Sequence, residues 1–211
     1  MQNTMDNFTY EIEDCATELE KFEWDNTWID HANDLFRRRV LYIGDSISCV
    51  TRRAATAETE KEVLFDGYGS SKSIDNPFFY EGIKLFARQQ KQRCAVLFNN
   101  GLHGWHLSDD TQYKCYYEKM IRFLIKEFDK TPVILALTTH VMDKDREKRV
   151  IVRNQVVKEL ASQYGLGVID LYQVSLDAQE FYSKDGVHLV QEGYDVLAKE
   201  IVRFLKAENV F

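Results

Sequence analysis

Proline and glycine are scarce in this chain, 2 and 10 among 211 residues, and a sequence so poor in both has little material for long disordered linkers. The whole chain is therefore expected to fold. A length of 211 residues suits one domain with a substantial core and would cramp two. Long apolar runs are also missing: no stretch approaches the roughly 18 residues of a membrane helix. From Met1 to Phe8 there is neither a basic region nor a continuous apolar one, so no secretory signal is read and a cytoplasmic location, away from membranes, is expected.

Cysteine occurs only at Cys15, Cys49, Cys94 and Cys115, with no Cys-x-x-Cys pair and no cysteine–histidine spacing suited to zinc, which points to scattered reduced thiols. An excess of positive charge is likewise absent. Lys+Arg number 27 against 34 Asp+Glu, for a formal net charge of -7; such a field repels polyanions, and no nucleic-acid partner is expected. The short run Arg37, Arg38, Arg39 reads as a solvated strand entrance.

What the chain does contain is an alternation of short apolar runs with helical patterns, the mark of a mostly parallel sheet covered on both faces. Strands are expected at Val40 to Ile43, Val63 to Phe65, Ala95 to Phe98, Val133 to Leu137 and Val168 to Leu171. The fold class is thus α/β, a three-layer α/β/α arrangement around five strands. Pro77 to Gln90 reads as a helix capped by Asn76. Further helices follow at Tyr113 to Phe128, at Val150 to Tyr164 with Gly165 as its stop, and at about Gln191 to Ala207. Residues 1–37 form an acidic extension with Phe8, Tyr10, Phe22, Trp24 and Trp28. So many large rings are expected to be buried, as one or two helices laid against the domain of residues 38–211.

Two short segments carry chemistry. The strand Val40-Leu41-Tyr42-Ile43 runs into the turn Gly44-Asp45-Ser46, at the carboxyl end where ligands collect in open α/β sheets. The helix that follows offers free backbone N–H groups to negative charge. A serine there can attack a carbonyl and donate its own N–H to the resulting oxyanion; the plainer alternative is that Asp45 or Ser46 only caps the helix. The second segment, Ser183-Lys184-Asp185-Gly186-Val187-His188, precedes the last helix. A neutral imidazole can take a serine proton, and a carboxylate three residues earlier can hold the ring in its productive tautomer. Here the plainer alternative is a turn former and a helix-entry histidine.

Together the two segments resemble the SGNH, or GDSL-like, hydrolase family. Gly44-Asp45-Ser46 matches its first block and Asp185-Gly186-Val187-His188 its last, over roughly four-fifths of the chain from Val40 onward. The resemblance implies a flavodoxin-like sheet and an esterase-type reaction without metal or other cofactor. Ser46 would be the nucleophile, His188 its base, and Asp185 the group orienting the base. It also implies a second oxyanion donor at Gly69, with Gly67 as substitute, and a third in the loop after the third strand. There Val96-Leu97-Phe98-Asn99-Asn100-Gly101-Leu102-His103-Gly104 departs from the family's Gly-x-Asn-Asp. With Gly101 as the family glycine, His103 takes the asparagine position and Gly104 that of aspartate; the competing alignments give the donor role to Asn99 or Asn100.

Asp45, Gly101, Trp105 and His140 are expected to border the substrate, Trp105 as a wall for an apolar or sugar-like group; for His140 the plainer alternative is a surface imidazole. His103 and His106 are three apart and precede Asp109 and Asp110, yet a loop at a pocket mouth tolerates two imidazoles without metal, and none is expected. His31 reads as solvated or packed in the extension, and Cys49 as a packed thiol. The implied substrate is a small-molecule or saccharide ester, with O-acetyl groups on sugars preferred. The alternatives are a protein that binds acylated glycans without turnover, a thioesterase or lysophospholipase, and an acyltransferase. Oligomeric state is not legible.

Overall fold

The computed structural model describes residues 18–90 and 92–211. The elements run β1 (Asp25–Trp28), β2 (Arg38–Gly44), α1 (Ser46–Glu58), β3 (Val63–Ser70), α2 (Pro77–Gln90), β4 (Ala95–Phe98) and α3 (Asp110–Glu127). They continue with β5 (Val133–Ala136), α4 (Lys144–Tyr164), β6 (Gly167–Ile169), α5 (Leu171–Leu176) and α6 (Gln191–Ala207), with one 3-10 turn at Gln179–Phe181. The sheet order is β1-β3-β2-β4-β5-β6. All strand pairs are parallel except β1 with β3.

Strand β2 alternates between the two cores. Leu41 and Ile43 face α2, α3 and α4, with Phe79, Ile83, Tyr117, Phe123 and Leu160. Val40 and Tyr42 face α1 and α6, with Ile47, Ala55, Leu197, Ile201 and Leu205. A strand apolar on both sides must be covered on both, and this gives the three layers. Leaving β1 aside, the five parallel strands follow the flavodoxin order, with the topological switch point between β2 and β4. The Gly44-Asp45-Ser46 turn leaves β2 there, beside the loop that leaves β4.

Local chemistry sets the helix ends. Asn76 Oδ1 accepts the Phe78 N–H at 3.0 Å, and Asp143 Oδ1 accepts those of Asp145 and Arg146. Gly165 stops α4 in the left-handed conformation, with φ at 65°. α1 carries its cap just outside its first residue: Asp45 Oδ1 accepts the Ile47 N–H at 3.0 Å.

Three expectations are corrected. Among the described residues the sheet has six strands instead of five, because the extension contributes β1. The described part of that extension, residues 18–37, contains no helix; its backbone instead pairs with β3, which would otherwise be an open edge. Phe22 and Trp28 remain exposed, and Trp24 is half-buried. Phe8, Tyr10 and Cys15 lie outside the described residues. Finally, Arg39 is not solvated like its neighbours Arg37 and Arg38. It pairs with buried Asp66 at 3.0 Å and donates to the carbonyls of Asp30, His31 and Asp34, clamping the extension to the domain.

Candidate active site

Ser46 and His188 are 142 residues apart in sequence, and the fold brings Ser46 Oγ to 2.8 Å from His188 Nε2. The opposite ring nitrogen, Nδ1, lies 2.6 Å from Asp185 Oδ2. Asp185 is held in turn by three donors on its other oxygen: Ser183 Oγ at 2.7 Å and the Val187 and His188 N–H groups, both at 2.9 Å. Gly186, with φ at 68°, supplies the left-handed residue that closes this loop. Burial opposes ionisation of Asp185, but its hydrogen bonds from His188, Val187 and Ser183 outweigh that and hold the carboxyl well below the usual range. The folded state thus favours the ionised form. Its contribution to loop order is full at neutral pH and is lost only as pH falls through the depressed value.

A bracket behind the loop carries it. Met142 N–H donates to Gly186 O at 2.9 Å, and Tyr182 Oη to His140 O at 2.5 Å. The His140 ring meets Tyr182 edge-on at 5.7 Å and has Nδ1 2.8 Å from Glu147 Oε1, although Nδ1 lies outside hydrogen-bonding alignment. Glu147 also accepts from Tyr172 Oη and from Val141 N–H. His140 is therefore packed into the support of the loop that carries Asp185 and His188.

Asp45 is buried at the start of α1. Burial pushes its carboxyl up, while the nearby His103 and His188 rings and the Ile47 N–H pull the other way. The His188 ring reaches this turn directly, through Ser46 Oγ. The Ser46 N–H belongs to the first turn of α1, whose amides have no partner within the helix.

The expected oxyanion residues are placed differently from one another. Asn99 Nδ2 is engaged with Ala136 O and Thr138 Oγ1, and Asn100 Nδ2 with Lys72 O. The His103 ring, by contrast, sits close enough to Asp45 to bias its carboxyl. Gly69 lies inside β3, opposite Gly44 on one side and Asn26 on the other. Ser71 N–H donates to Trp24 O. Since residues two apart in an antiparallel ladder face the same side, Gly69 N–H is directed toward β1 and away from the turn. Gly67, two residues earlier still, shares that direction. What Gly69 does supply is clearance, because a Cβ there would meet Cys49 Sγ at 2.2 Å.

Gly101 is equally confined, since a Cβ would fall 1.6 Å from Thr138 Oγ1. Gly101→Ala is expected to destabilise the fold by about 1–3 kcal/mol through overpacking. Chemical denaturation checks this, and Thr138→Gly in the same chain should recover part of the loss. Trp105 is stacked by the guanidinium groups of Arg149 and Arg153, each 5.0 Å from its ring. His106 pairs with Asp75 at 2.8 Å, and Asp109 caps α3. Cys49 packs at Gly69, its thiol pushed up to about 11 by burial. His31 is exposed beside Asp30.

Two residues unremarked in the sequence hold this region. Arg153, on the buried face of α4, donates to the carbonyls of Gly101, His103, Gly104 and Leu107; an arginine within an apolar stripe is the signal that could have found it. Glu20, in the extension, accepts from Gly104 N–H across 84 positions, and nothing in its sequence surroundings points there.

No protein-family model matches the sequence, and no curated protein does either. Solved structures do match in fold. The lipase/acylhydrolase from Enterococcus faecalis is 22% identical, with 81% of this chain and 96% of that one covered and a TM-score of 0.62. A member of the lipolytic protein G-D-S-L family from Veillonella parvula is 21% identical, with coverages of 80% and 98% and a TM-score of 0.65. The C-terminal catalytic domain of Streptococcus pneumoniae peptidoglycan O-acetyltransferase A is 18% identical, with coverages of 82% and 95% and a TM-score of 0.62.

Proposed function

From the premise that this chain has the fold of the GDSL-type acylhydrolases, we propose that it is a serine esterase acting on a small acyl ester, with O-acetyl groups on a carbohydrate as the preferred substrate class. One observation carries the reading: an unbroken hydrogen-bonded chain from Ser46 Oγ through both His188 nitrogens to Asp185. Fold likeness alone would not do so, because one fold hosts many chemistries.

Ser46 Oγ attacks the ester carbonyl carbon while His188 Nε2 takes its proton. Asp185, already ionised, stabilises the imidazolium and fixes its orientation. The carbonyl oxygen becomes an oxyanion that the Ser46 N–H and the His103 ring receive, each donor contributing about 3 kcal/mol by comparison with other oxyanion holes. Collapse breaks the bond to the alcohol, which leaves with the proton from His188. Water then attacks the acyl-enzyme with His188 again as base, releasing the acid. The acetyl preference draws on one neighbour's being a peptidoglycan O-acetyltransferase domain and on the polar and aromatic side chains of the loop after β4.

The test joins labelling with turnover. Incubation with an active-site phosphonate should modify Ser46, identified by peptide mass spectrometry, and p-nitrophenyl acetate should be hydrolysed faster than long-chain esters. Acetylated saccharides should release acetate. Turnover confined to long acyl chains would move the reading to a lysophospholipase or thioesterase, and product that appears only with a sugar acceptor would move it to an acyltransferase. An unlabelled Ser46 with no turnover on any ester leaves a binding protein.

A further inference from the structure

Asp185 and His188 sit on one small hairpin. Ser183 N–H donates to His188 O at 2.7 Å and Val190 N–H to Phe181 O at 2.8 Å, with Tyr182 opposite Leu189, so the carboxylate and the imidazole move as one piece. Two hydrogen bonds fasten that piece to residues 140–142, where the chain passes from β5 to α4. Met142 N–H donates to Gly186 O at 2.9 Å, and Tyr182 Oη to His140 O. Between the two fastened residues stands Val141, and its N–H donates to Glu147 Oε2 at 2.9 Å. The other oxygen of Glu147 accepts Tyr172 Oη from α5.

We propose that Glu147 is a positioning residue that sets where His188 stands against Ser46 without touching either. The proposal deepens the esterase reading and rests on it. An acidic side chain in the first turn of a helix is favourable by itself, and for that Glu147 could face water. It turns inward instead, with 15% of its side chain exposed, and engages groups outside α4 with both oxygens. A carboxylate suits the place because it accepts at two points and donates at none. Ser175 completes the grip from α5, its Oγ accepting the His140 N–H at 2.8 Å and donating to Tyr172 O at 2.9 Å. Residues 140 and 141 are thus held from α4 and α5 at once. From Glu147 the line runs through Val141 and Met142 to Gly186 and His188, a hydrogen bond or a peptide link at every step. His188 Nε2 must take the serine proton across 2.8 Å, and a displacement of about 1 Å in such an arrangement costs up to about a hundredfold in rate.

Glu147→Met fills the space without an acceptor. It should lower kcat on p-nitrophenyl acetate about tenfold with KM within about twofold. Amide hydrogen exchange of residues 183–188 should quicken about tenfold relative to that of β2 and β4. Glu147→Gln keeps an oxygen for Val141 N–H and an amide that Tyr172 Oη can accept, so its kcat should stay within about twofold of wild type. Tyr164→Phe is the control for stability alone: it removes a hydrogen bond at the far end of the same helix, Tyr164 Oη to Glu118 Oε1 at 2.6 Å, and should leave kcat unchanged. If Glu147→Met does not fold, Glu147→Asp carries the test, since a carboxylate one methylene shorter cannot reach both donors; about a threefold fall is expected. Wild-type kcat in the tested variant overturns the proposal, as does a Glu147→Gln protein no faster than it, or an equal loss in Tyr164→Phe. Exchange is read without substrate, so the two ideas fail separately. Unchanged exchange of residues 183–188 in that variant sinks the Glu147 proposal alone, and a wild type that neither hydrolyses esters nor labels at Ser46 sinks the esterase reading.

Discussion

Ser46→Ala is expected to lower kcat/KM on p-nitrophenyl acetate by about four to six orders of magnitude, and His188→Ala by a similar factor. Groups that act as one unit do not add, so the double variant should be no slower than the worse single one. The residual rate over water then measures what the oxyanion donors and binding contribute alone. Asp185→Asn belongs to the same series with a different cause. It keeps the side-chain shape but presents an amide N–H to His188 Nδ1, which forces the wrong tautomer and costs about three to four orders. Ser46→Ala and His188→Ala should disturb folding little, whereas Asp185→Asn also weakens the hydrogen bonds that order its loop. The cap of α1 is the Asp45 carboxylate, not the Ser46 hydroxyl, and the side chains of His188 and Asp185 are 42% and 51% exposed. The unfolding free energies of Ser46→Ala and His188→Ala should therefore stay within about 0.5 kcal/mol of wild type, as for other surface substitutions. Additive losses, or a Ser46→Ala protein that still turns over at a tenth of the normal rate, would remove the serine from the chemistry.

The layers were legible because they rest on local rules. Two-sided apolar strands such as Val40 to Ile43, and the stripes of α2 and α6, identify a covered parallel sheet with no long-range information. The pairing of Ser46 with His188 could be anticipated because each sits at a punctuated strand or helix end, where short motifs keep their meaning. The extension was misread for the converse reason. Aromatic content argues for burial, yet Asp25 to Trp28 has its place because β3 offers unpaired backbone groups, and nothing in those four side chains records that. Register was equally invisible. Gly69 looks like a donor in a turn until β1 extends the ladder past it and directs its N–H outward. Arg39 was misjudged because a charge at a strand entrance usually faces water. Its partner Asp66 sits 27 positions away on the next strand, and only the β2–β3 register brings them together.

The same reasoning makes Arg153 the residue on which the geometry of the loop after β4 most depends. It is buried on α4 with no carboxylate among its hydrogen-bond partners in the described residues, and its two terminal nitrogens reach four carbonyls: Gly101 O and His103 O from one, Gly104 O and Leu107 O from the other. The guanidinium lies against the Trp105 and Tyr113 rings, at 5.0 and 4.3 Å from their centroids. A loop that turns its carbonyls inward needs donors for them, and one planar fork supplies all four. Arg153→Met fills similar volume but leaves those oxygens unpaired, at a net loss of about 1 kcal/mol each or roughly 3–4 kcal/mol in total. Arg153→Lys restores one strongly hydrated point charge that cannot span both pairs, so it should recover less than half of that loss. Denaturant midpoints read the stability change. Turnover of p-nitrophenyl acetate at a temperature where the variants remain folded reads a second effect, a fall in kcat as His103 loses its fixed place beside the turn. If Arg153→Met unfolds within about 0.5 kcal/mol of wild type, the carbonyls have found other donors, and the loop is shaped by its own turns and by Glu20 rather than by α4.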